Sequence, residues 1–135
     1  MINSKRLLLA FLAAMVVDFI YGFCVFGIAL RDFHAQFPTW LKPQGEFNMV
    51  RMFLTGAFNM AVVSLFYALF ARNRASRFTT GLLFGVLLGL IAGWVPQATN
   101  KLLFNNYPFY TMWAPAIFFE FVVAGAVNGL IYRES

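Results

Sequence analysis

Four long apolar runs alternate with short polar stretches along this chain: Leu7 to Leu30, Val50 to Phe70, Phe78 to Val95, and Met112 to Tyr132. Each is about 20 residues, the length a helix needs to cross a hydrocarbon core of about 30 Å. The pattern predicts an all-α, polytopic membrane protein: one membrane domain over residues 1–135, built as a bundle of four transmembrane helices.

The connecting stretches carry different signals. Between Arg31 and Met49, Pro38, Pro43 and Gly45 argue against a continuous helix, while Phe33, Phe37, Trp40 and Leu41 give the segment an apolar side; it is expected to lie along the membrane surface. Between Pro96 and Thr111, Asn100, Asn105, Asn106 and Pro108 read as a turn-rich connection, with Pro96 ending the third helix. Pro115 falls near the expected start of the fourth helix, where a first turn would accommodate it or the helix would bend.

Within the runs, small residues recur every four positions. Gly81, Gly85, Gly89 and Gly93 leave one stripe of the third helix without side chains, the spacing that lets a second backbone approach closely. Ala10, Ala14, Asp18 and Gly22 make a comparable stripe on the first helix, and Ala116, Glu120, Ala124 and Asn128 on the fourth. Both intramembrane carboxylates therefore share a face with residues suited to helix packing and point inward. The second helix contributes Gly56 and Asn59.

Composition agrees with the pattern: 61% of the 135 residues are hydrophobic, 11% are charged, and mean hydropathy is +0.74. A soluble chain carries about 25% charged residues. The net charge of +5 does not indicate nucleic acid, because the basic residues cluster at helix ends. Lys5, Arg6, Arg72, Arg74, Arg77 and Arg133 fall on one side, against Arg31, Lys42, Arg51 and Lys101 on the other. By the positive-inside rule this places both termini in the cytoplasm, as expected of a multi-pass protein of a bacterial inner membrane. Lys5 and Arg6 before an apolar run imitate a secretory signal, but no small-x-small cleavage site follows, so the run is expected to stay as an anchor. Trp40, Trp94, Trp113, Tyr107 and Tyr110 all fall at the expected outer boundary, where amphipathic rings settle among headgroups.

Candidate chemistry centres on Asp18 and Glu120. An isolated ionised carboxylate is costly at bilayer depth, so such residues mark functional sites by default. One reading is a shared proton or cation site; the other is a neutral polar network with Asn59, Asn128 or Tyr21 that holds the helices in register. His34 is the sole histidine and Cys24 the sole cysteine, which leaves no ligand set for haem or zinc, and no cofactor or metal is expected. His34 reads as a surface residue. A divalent-ion site from Asp32, His34 and Glu46 has no recognised spacing behind it. No nucleophile elbow, phosphate loop or metalloprotease motif is present, so the chain reads as non-enzymatic.

The segments VVDFIYGF, GIALRDFHAQFP, GLLFGVLLGL and FFEFVVAGAVNGLIYR resemble those of a loose group of small, uncharacterised four-helix bacterial inner-membrane proteins. That resemblance covers essentially the full chain; it implies fold and location and transfers no site. The architecture is also similar to small multidrug resistance transporters in having four helices, an acid in the first and a glycine stripe. It departs from them in using Asp18 rather than glutamate, in placing the stripe on the third helix, and in carrying Glu120. Two functions are therefore expected. The leading one is a helper or subunit that binds a membrane partner or lipid and associates, with itself or in a larger complex, through the third helix. The other is a proton-coupled carrier or binder of hydrophobic cations that uses Asp18 and Glu120.

Overall fold

The computed structural model describes residues 2–38, 46, 48–74, 77–103 and 107–132, with the side chain of Tyr107 excluded. The described residues form helices and their connections. α1 (Ser4–Gly22) begins at Asn3, whose side chain accepts from the Arg6 N–H at 3.1 Å, and continues without a break into a π-helical segment, Phe23–Ala29. A single turn, α2 (Arg31–His34), follows. α3 (Met49–Phe70) starts in the same manner, with Asn48 accepting from the Arg51 N–H at 2.9 Å. It ends near Asn73, the one non-glycine residue of positive φ among those described (65°), a conformation asparagine tolerates. α4 (Phe78–Leu88) passes through a second π-helical segment, Gly89–Trp94, into α5 (Val95–Leu103), and α6 (Tyr107–Ile131) completes the chain.

Among the described residues, four stretches are long and apolar enough to cross a membrane: Ser4–Ala29, Met49–Phe70, Phe78–Leu103 and Pro108–Ile131. The protein is a multi-pass, all-α membrane protein, as the apolar pattern predicts. Two boundaries differ from the sequence expectation, and each changes where a proline sits. Pro96 does not end the third span. It sits where hydrogen bonding changes from π to α, with the Val95 N–H reaching back to Leu90 O, and the first turn of an α segment requires no donor from it. Pro115 lies well inside α6, because that helix begins at Tyr107 rather than near Met112. Residues 39–45 and 47 of the expected surface segment lie outside the described residues.

The closest pairing is between α4 and α6, which run antiparallel. A Cβ built on Gly85 would stand 2.6 Å from Phe121 O, and one on Gly89 would stand 2.7 Å from Phe118 O. On the facing helix, a Cβ on Gly125 would lie 2.6 Å from the Gly85 Cα, and one on Gly129 would lie 2.8 Å from the Gly81 Cα. These distances are too short for any side chain, so the glycine stripe of the third span is taken up by the fourth span of the same chain. The association face expected on the third helix is thus occupied internally. α1 packs on α6 and on α3, leaving α3 the most peripheral member in its N-terminal half, where Met49, Val50 and Phe58 are each about 70% exposed.

Between these pairs the bundle is dense at its arginine end and looser toward its aromatic end. The dense core joins Ala10, Ala14, Met60, Val63, Tyr67, Ala68, Phe84, Ala124 and Tyr132, all buried. Alanine at 10, 14 and 124 lets the helices close around the Tyr67 and Tyr132 rings, which meet edge to face at 6.1 Å.

Candidate functional site

The site grows from the two stripes that carry the acids. Ala14 and Ala116 are buried, which draws α1 and α6 together one turn from each carboxylate, and the two acidic side chains come to line one cavity at that contact. A carboxylate has only acceptors, so the two could hydrogen-bond to each other only with a proton on one of them. The buried Oδ1 of Asp18 has no hydrogen-bond partner among the described residues. One turn further on, the Tyr21 hydroxyl donates to Ala116 O at 2.6 Å, next to Pro115, and ties α1 to α6 at the depth of the pair.

Beside the carboxyls lies a cavity of about 300 Å3, lined by Asp18, Phe26, Gly56, Asn59, Met60, Ala92, Trp113, Ile117, Glu120 and Phe121. All four spans contribute. Each π-helical segment supplies one lining residue, Phe26 from the first span and Ala92 from the third. A π turn carries an extra residue, shifts the helix face and is often found at functional sites. Asn59 and Ala92 are exposed while lining the cavity, so it opens sideways between the second and third spans.

The wall toward the aromatic end is a cluster of rings. Trp113 donates from Nε1 to Nε2 of His34 at 3.0 Å, and its ring lies 5.1 Å from Phe26 and 4.9 Å from Phe109. His34 stacks against Phe26 with an interplanar angle of 7°. It is not the surface histidine read from the sequence: it is partly buried, and burial holds its pKa below the usual 6.5. Tyr110, expected among headgroups, is turned inward and is buried against Phe109, while Trp94 stays 43% exposed.

Of the residues singled out in the sequence, the structure brings Asp18, Glu120 and Asn59 to one cavity, with Tyr21 one turn from it. Asn128 stands apart: fully buried, two turns along α6 from Glu120, it donates from Nδ2 to Ala124 O at 2.9 Å and does not line the cavity. Gly81, Gly85, Gly89 and Gly93 lie along the contact with α6 and are not among the residues that line the cavity. No group of three His, Cys, Asp or Glu side chains suited to a metal occurs among the described residues.

Trp113, Phe26 and the role of His34 were missed. A tryptophan near a helix end satisfies the headgroup rule whichever way it turns, and one histidine among aromatic residues carries no ligand pattern. Gly125 and Gly129, the partners of the stripe, had a signal in their four-residue spacing. No protein-family model, curated protein or solved structure matches the chain.

Proposed function

We propose that this protein binds hydrophobic cations at the Asp18–Glu120 pair and exchanges them for protons, without catalysing a reaction. The observation that carries the reading is the laterally open cavity reaching both carboxyls: a neutral network that only held helices in register would have no need of one. Its remaining walls are mostly apolar or aromatic, and rings beside a carboxylate suit an organic cation better than a hydrated metal ion. A proton shared by the pair is what such a cation would displace. The helper-subunit reading rests on no comparable feature of the site. The skew of arginine and lysine supports a bacterial inner membrane with both termini in the cytoplasm.

The test is binding of a panel of lipophilic cations to the purified protein in detergent between pH 5 and 9. Wild type is expected to bind more tightly as pH rises, releasing protons to buffer. Asp18→Asn with Glu120→Gln should remain folded and lose that pH dependence. If wild type bound no cation at any pH, the proposal would fall and the helper reading would take its place.

A further inference from the structure

At Gly56, α3 passes beside the acid of α1. A Cβ built there would lie 3.6 Å from Asp18 Oδ2 and 3.6 Å from Phe19 Cζ, an ordinary van der Waals distance. Unlike the glycines between α4 and α6, this one is not demanded by the approach of two backbones. The space it leaves is part of the cavity, and it lies one turn from Asn59 at the lateral opening. Phe19 closes the adjoining side, held by stacking on Phe53 of α3 at 5.1 Å and 13°. Any side chain at 56 longer than a methyl would project over Asp18 Oδ2 and separate it from the cavity. The absence of a side chain is therefore not explained by packing, and it leaves the carboxyl within reach of a ligand.

We propose that Gly56 is the size-determining residue of the site: it admits the charged head of an amphipathic ammonium ion to Asp18 through the opening between the second and third spans. The proposal rests on the cation-binding reading of the Asp18–Glu120 pair and adds which residue limits the ligand. A head bearing several alkyl groups needs the space in front of Oδ2, whereas a primary ammonium needs only a narrow approach and can hydrogen-bond on arrival. The ligand's apolar chain can remain against the lipid-facing side of the opening, past Asn59 and Ala92, which are both exposed.

The experiment measures binding of an alkylammonium series to the full chain in detergent at pH 8, with one dodecyl chain and from none to three methyl or ethyl groups on nitrogen. Gly56→Val is expected to weaken binding of the bulkiest heads by roughly tenfold or more while changing the primary amine by less than about threefold, the scale on which a pocket discriminates by size. Gly56→Ala, whose added methyl makes only ordinary contacts, should shift the series in the same direction by a smaller factor, and it keeps the test available if the valine variant does not fold. Equal weakening of all members by both variants, or no change in any, would overturn the role of Gly56 and leave the cation site standing. Failure of the wild type to bind any member would instead remove the site itself.

Discussion

Asp18 and Glu120 can each be replaced by an amide of nearly the same shape, which separates their charge from their packing. Asp18→Asn and Glu120→Gln keep hydrogen-bonding atoms in place, so each is expected to cost about 1 kcal/mol of stability or less, read as a shift in thermal midpoint in detergent. Ala in place of Glu120 should cost more, because its contact with Asp18 would be lost and a carboxyl left without its partner in a low-dielectric interior. His34 makes the opposite kind of prediction. Its neutral Nε2 accepts the Trp113 indole N–H, and burial holds its folded pKa below 6.5. The stabilisation is then fully present above pH 6.5 and is lost as pH falls from there toward the lowered folded value, since the unfolded chain takes up the proton first. The fluorescence of Trp113 should report this loosening, and His34→Gln, which can still accept a hydrogen bond, should remove the part of the pH dependence of stability in that window that comes from the imidazole. An unchanged wild-type midpoint between pH 7.5 and 5 would contradict it. The acids were legible in the sequence because an ionisable group inside an apolar run stands out against its neighbours and is costly at bilayer depth. The histidine was not, because its placement depends on how α2 folds back onto α6, which no local pattern encodes.

At the scale of elements, the decisive contact is glycine on glycine between α4 and α6. Its consequence is that a bulky substitution attacks the fold of the single chain before it attacks any association between chains. Gly85→Ala already places a methyl 2.6 Å from Phe121 O and is expected to cost about 1–3 kcal/mol; Gly85→Leu should cost more and lower the yield of folded protein. Gly56→Ala, made as a control on α3, should be close to neutral because its methyl finds 3.6 Å of clearance. Equal stability of Gly85→Leu and wild type would show that α4 and α6 do not meet as described. Helical spacing made the stripe visible, and the lengths of the apolar runs made the four spans visible. The π-helical segments were not visible: seven residues of FCVFGIA and six of GLIAGW look like any apolar helix, and the extra residue per turn is chosen by what the neighbouring helices accommodate. For the same reason Pro96 misled as a terminator, since its tolerance within the third span depends on a π segment that sequence does not announce.

The whole molecule is asymmetric along the bundle axis, and that asymmetry bears on how it lies in the membrane. The dense core of alanines and tyrosines is next to Arg72, Arg74 and Arg77, and the Arg74 guanidinium sits 4.5 Å over the Phe70 ring, at the end of α3. The cavity and the His34–Trp113 wall lie toward the opposite end, where basic residues are fewer. Positive charge adjacent to a short connection is the strongest determinant of which side stays in the cytoplasm, so the arginine end should face inward. In a background with Cys24→Ser, a cysteine at Ser76 should react with a membrane-impermeant maleimide only after the cell membrane is opened, while one at the exposed Gln36 should react in intact cells. The cavity then belongs to the outer half of the bilayer, and a cation held by Asp18 and Glu120 would be nearer to the external leaflet than to the cytoplasm. Labelling of both positions from the same side would break the antiparallel order of the first three spans. Labelling in the reverse order would keep the bundle, invert it, and place the opening in the inner leaflet.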